Sequence, residues 1–222
     1  MTISKIPLRT LLTYFGLSPE RRTAAVRADA RAEIRKAGRP TSNGGDFHSC
    51  FWRDAKAHAT GEVDLTDMTA LRIDQVKSRK RLYPQLTAGF LAWWNENRRW
   101  INEDIVALPK PVKAPYSFHE IGGVVKVDNI LALSIPGKGE RLVYPYFSET
   151  PVLSPDVARM GLWLMGQALP DHRLEDMRIL DVIRGTTFSV DKQPLIGIEG
   201  AQFVERYARM LDDWRQFIRQ FS

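Results

Sequence analysis

Lys77-Ser78-Arg79-Lys80-Arg81 with Tyr83, and Trp93-Trp94-Asn95 with Arg98-Arg99-Trp100, each interleave cations with aromatic rings. That mixture suits contact with a phosphate backbone plus stacking on bases. Asp46, His48, Cys50 and His58 form the densest run of residues that ligate metals, yet no Cys-x-x-Cys or His-x-x-x-His pair is present. His48 and Cys50, two apart, cannot share a helical face, so the run is not read as a metal site. Neither a G-x-G-x-x-G nor a G-x-x-x-x-G-K-[ST] loop occurs, which removes nucleotide binding through a glycine cradle. Lys126 and Asp128, also two apart, project from the same face if their segment is a strand.

The charge is uneven. Of the net +6, all sits in residues 1–109, where 18 Lys and Arg oppose 12 Asp and Glu; residues 110–222 carry 14 of each. A local positive field of this kind attracts polyanions and makes DNA or RNA the expected partner. No apolar run reaches the length of a membrane span. The first residues make a poor secretory signal, and a lone cysteine, Cys50, fits a reducing compartment, so a cytoplasmic location is expected.

The elements that must position these residues follow from periodicity. Residues 6–17 space their apolar side chains as a helix does. Ser18-Pro19-Glu20 starts a second helix, with Arg27, Arg31 and Arg35 as one stripe, ending near Gly38. Further helices are expected over 47–59, 64–81 and 84–104, the last rich in tryptophan. The proline-rich stretch at 107–115 reads as a connector, which divides a helical, basic region (1–107) from an α/β core (108–222). The period then changes to two. One strand over Val125–Leu133 and another over Arg141–Phe147 make a hairpin. A helix capped by Ser154, a strand over Arg178–Val190 and a helix over Ala201–Phe221 complete the chain. The fold class is α/β: a helical N-terminal region and a small mixed sheet flanked by helices.

The order strand, strand, helix, strand over residues 119–190 resembles the core of the PD-(D/E)XK, restriction-endonuclease-like nucleases, most closely their RecB-related and CRISPR-associated exonuclease branch. The resemblance implies a metal site. Asp128 falls at the first acidic ligand, while Tyr144 and Tyr146 stand where the second acid and the lysine belong. A neutral phenol is a weak ligand for a hard cation, so the motif is degenerate. What the resemblance still allows is a rearranged site. Asp128 would hold Mg²⁺ or Mn²⁺, Lys126 would orient water, His119, Glu120, Glu140 or Glu149 would complete the shell, and Arg159 would reach in from the following helix. It implies a nucleic-acid-associated protein for DNA defence or DNA processing. The tyrosine pair equally allows a non-enzymatic interaction subunit or antitoxin-like partner, docking through the tryptophan-rich helix.

Overall fold

The structure, a computed structural model, describes residues 2–37, 47–98, 105–135, 137 and 139–221. It is a mixed α/β protein in which two sheets are flanked by helices. The smaller sheet has the order β1 (Lys5–Pro7), β4 (Gly123–Val127), β3 (Ala114–Phe118); β1 runs parallel to β4 and β3 antiparallel to it. The larger has the order β2 (Val106–Ala107), β5 (Leu131–Ile135), β6 (Gly139–Tyr146), β7 (Met177–Asp181), β8 (Thr186–Phe188). Its one parallel pair, β6 with β7, is joined by α6 (Pro155–Ala168), as a parallel pair requires a crossover. Ser154 caps α6 by accepting from the Val157 amide, and Pro155 occupies the first turn, as the sequence predicts.

The expected single strand over Val125–Leu133 is two. Asn129 adopts φ of 61°, a left-handed conformation that asparagine tolerates, and its carbonyl accepts from the Trp52 indole N–H. The chain leaves the small sheet at Val127 and enters the large one at Leu131. Because β5 begins pairing only at Leu131 opposite Val143, the far end of β6 is flanked on that side by no described strand. Pro145 is tolerated there despite lacking an N–H. The strand expected over 178–190 likewise breaks into β7, a turn at Gly185 and β8.

Two cores lie against opposite faces of the large sheet. On one face Leu142, Tyr144, Tyr146, Met177 and Ile179 pack with α1 (Leu8–Gly16), α6, α7 (Glu199–Phe221) and the small sheet. On the other, Leu131, Leu133, Val143, Phe147, Leu180 and Val182 pack with α3 (Ser49–Ala59), α4 (Leu65–Gln75) and α5 (Tyr83–Arg98). Coverage on both faces explains why residues 142–147 are all buried rather than alternating. Each core draws residues from both sides of position 107. α5 approaches β7 closely at Gly89, where a Cβ would stand 2.1 Å from the Val182 carbonyl oxygen. The helix expected over 64–81 stops at Gln75 and continues as a 3-10 turn over Lys77–Lys80.

The arginine stripe of α2 (Pro19–Ala37) is exposed, yet two of its members also contact α7. Arg27 lies over the ring of Phe217 and Arg31 over Phe221, each 4.7 Å from the centroid. These cation–π contacts dock α2 on α7.

Candidate functional site: a cationic cavity at the edge of the large sheet

The residues expected to form a metal site do not converge. Tyr144 and Tyr146 are each 1% exposed. The Tyr144 hydroxyl accepts from the Arg9 amide at 2.9 Å, which satisfies one of the first-turn N–H groups of α1. The Tyr146 hydroxyl donates to the Pro151 carbonyl at 2.6 Å. Burial pushes the pKa of both phenols up, so both stay neutral and structural.

Asp128, just beyond β4, accepts from its neighbour Asn129 and lies near Lys56 of α3, whose pKa burial lowers while Asp128 opposes the shift. Lys126 belongs to the small sheet, opposite Pro7 and Pro115. Glu140 begins β6, roughly 20 Å from Tyr146 by strand rise, and its carboxylate lies 2.7 Å from His172 Nδ1. Glu149 is held by both terminal nitrogens of Arg81 at 2.6 Å. Glu120 is exposed in the turn between β3 and β4. Arg159 is paired with Asp156 and, at 3.6 Å, with Glu199. Among the described residues no three His, Cys, Asp or Glu side chains are grouped as metal ligands. The arrangement does not fit the Mg²⁺ or Mn²⁺ that the resemblance implies, because its acids are dispersed and one of them, Glu149, is already neutralised by Arg81.

The carboxyl ends of β6 and β7 hold one buried acid that the sequence reading missed. Asp181, 1% exposed, receives Arg184 Nη1 at 2.9 and 3.1 Å. Desolvation pushes its pKa up against the pull of that arginine. Arg184 also donates to the carbonyls of Ser148 and Glu149. The pair staples the loop after β6, and its carboxylate is already charge-compensated by Arg184.

The cation–aromatic clusters divide. Lys77 pairs with Asp74 at 2.7 Å, Arg79 lies over Tyr83 and donates to the Arg72 carbonyl, and Arg81 is the partner of Glu149. Lys80 is exposed. Trp52, Trp93 and Trp94 are at most 5% exposed and fill the second core. The expected docking surface on the tryptophan-rich helix is therefore packing, because these rings face the sheet. Arg99 and Trp100 lie outside the described residues.

A different group does come together. Arg141 on β6 and Arg178 on β7 point to the same face, since Arg178 is in register with Val143, two residues from Arg141. With Arg98 at the end of α5 and Lys192 after β8 they line a cavity of about 290 Å³ floored by Trp93, Trp94, Leu133 and Ile135. Asp191 is the one carboxylate among the described residues of its lining. It accepts from Arg178 Nη2 at 3.0 Å, while Arg178 Nη1 donates to the carbonyls of Glu175 and Met177. Burial, then repulsion from Arg141, lowers the pKa of Arg178. Arg141 donates no side-chain hydrogen bond to any described residue; its nearest carboxylate oxygen, on Asp176, is 4.0 Å away. Both side chains are largely covered, with 26% and 16% exposure.

Arg141 and Arg178 thus share one face of the sheet, with Asp176 4.0 Å from the first and Asp191 3.0 Å from the second, and two guanidiniums so placed suit an anion. The sequence signal was an arginine at the same phase of two adjacent core strands, Arg141 before Leu142-Val143 and Arg178 before Ile179-Leu180. No family model and no curated protein matches the chain.

Proposed function

We propose that this chain binds nucleic acid through phosphate contacts and does not cleave it through a paired-acid metal site. The observation that supports the reading is the cavity where Arg98, Arg141, Arg178 and Lys192 face one carboxylate. Guanidinium forks match phosphate oxygens in shape and charge, and a largely covered pair strengthens the contact by excluding water. The nuclease-like order of elements supports the same partner class. The buried phenols at positions 144 and 146 argue for binding over hydrolysis. The single free cysteine, half-exposed, accords with a reducing cytoplasm. No helix among the described residues is long and apolar enough to cross a membrane.

The test is retention of labelled single- and double-stranded DNA and RNA over a salt series, with Mg²⁺ and Mn²⁺ present. Binding that weakens with salt, a slope about one unit shallower in Arg141→Gln, and no cleavage are expected. Absence of retention at low salt would sink the reading. So would cleavage that disappears in Asp128→Ala.

A further inference from the structure

We propose that the Arg141–Arg178 cavity takes a phosphate monoester of a nucleotide, either free or at the end of a strand, rather than the diester backbone of a continuous strand. The inference rests on the nucleic-acid reading only for the strand-end source.

Three features of the cavity choose between the two chemistries. The first is shape. The walls come from the end of α5, three strands (β5, β6 and β7) and the segment from β8 to Lys192, enclosing about 290 Å³. That space is at the small end for a ligand pocket and suits one nucleotide-sized group. A backbone that must enter and leave needs an open groove, whereas an end needs only an entrance.

The second is charge. A phosphodiester carries one negative charge and a monoester close to two near neutral pH. Among the described lining residues four cations face one carboxylate, with Asp176, not part of the lining, 4.0 Å from Arg141, and that surplus matches a dianion better. Arg178 is already steered by Asp191 and two carbonyls, so its remaining donors are held in a fixed direction. Arg141, beside it, donates no side-chain hydrogen bond to a described residue and has only the loose ion pair with Asp176 at 4.0 Å. Together they present a rigid donor and an adaptable one to a group with three free oxygens.

The third is the floor. Trp93 and Trp94, rings 5.9 Å apart and tilted by 48°, lie with Leu133 and Ile135 beneath the guanidiniums. At most 7% exposed, these side chains belong to the core and close the cavity on that side, so they give the phosphate a low-dielectric wall rather than a ring to stack on.

Asp191 gives the proposal a sign that a purely structural role lacks. Its carboxylate occupies one Arg178 nitrogen and repels an anion. Asp191→Asn therefore is expected to tighten binding, and Arg141→Gln to weaken it by about 10- to 100-fold, the range for a charge-assisted contact. The experiment uses the whole chain and four probes: inorganic phosphate, adenosine monophosphate, and one oligonucleotide with a phosphate or a hydroxyl at its ends. Affinities are read by calorimetry and by anisotropy, with thermal midpoints for each variant.

Phosphorylated ends preferred by about 10-fold or more over hydroxyl ends, competition by adenosine monophosphate, and opposite effects of the two variants are the expected result. Equal affinity for both ends, with no competition by the mononucleotide, would overturn the inference and leave backbone binding standing. Adenosine monophosphate bound in an Arg141-dependent way, with no oligonucleotide retained, would uphold the monoester site and remove the nucleic-acid reading. If Arg141→Gln fails to fold, the comparison of ends and Asp191→Asn still decide.

Discussion

Restoring the acid and lysine of the nuclease motif, by Tyr144→Glu with Tyr146→Lys, is expected to unfold the protein rather than awaken it. Both positions are 1% exposed, so neither new charge reaches water. A buried glutamate escapes that penalty by staying protonated at pH 7. Holding a group of ordinary pKa ~4.3 neutral there costs about 3.7 kcal/mol, at 1.36 kcal/mol per pH unit. Neutralising a lysine of ordinary pKa ~10.4 costs about 4.6 kcal/mol by the same conversion. Together that is about 8 kcal/mol, comparable to the whole stability of an ordinary domain, about 5–15 kcal/mol. An ion pair between the two recovers only part, because both partners must be desolvated. At about 2–4 °C per kcal/mol for a chain of this size, the midpoint falls by roughly 16–32 °C, or the variant is insoluble. Tyr144→Phe is the control. It removes only the acceptor for the Arg9 amide, worth about 1–3 kcal/mol or roughly 2–12 °C. Circular-dichroism melts and a Mg²⁺-dependent cleavage assay on the same preparations supply the readouts. A double variant that melts within about 5 °C of the parent and cuts DNA would refute the assignment of these phenols to the core.

Two further outcomes follow from the same geometry. Gly89→Ala places a methyl group 2.1 Å from the Val182 oxygen and 2.4 Å from that of Ile183, so a loss of about 1–3 kcal/mol is expected although alanine favours helix. An unchanged or raised melting midpoint would show that α5 is free to shift. Burial raises the pKa of Tyr14, Tyr144 and Tyr207. The unfolded chain releases these protons near pH ~10 while the native state keeps them, so stability is full below that pH and falls as pH rises above it. Tyrosinate absorbance from these three should appear together with loss of the far-ultraviolet signal; ionisation near pH ~10 of a still-folded protein would contradict their placement.

Much of the fold was readable because local signals and burial agree. The Ser154 cap, the hairpin of β5 and β6, and the long amphipathic α7 each appear near their expected places. What failed did so where tertiary partners decide. Val125–Leu133 has a continuous strand pattern, and only the left-handed turn at Asn129, held by Trp52 from a distant helix, divides it between two sheets. β1, three residues long, has no pattern of its own and exists because β4 offers it an edge. The tyrosines at 144 and 146 were legible as departures from the motif, but not as partners of Arg9 and Pro151. The cationic cavity was only partly legible: the like phase of Arg141 and Arg178 on two core strands could be read, but its four cations come from one helix, two strands and a loop, and no spacing in the chain joins Arg98 and Lys192 to them.

The pairing of β1 with β4 sets the order in which the chain can fold. Lys5–Pro7 have no strand partner until Val124–Lys126 are made, and the Ile3 carbonyl waits for the Tyr207 hydroxyl, 204 residues later. The Phe15 carbonyl likewise waits for Arg206. During synthesis the first helices leave the ribosome with one apolar face uncovered, and the core beneath them closes only when α7 has emerged. Closing such long loops is slow. Until α7 is made the nascent chain is an incomplete fold, the interval in which chaperone binding or aggregation competes with the native state.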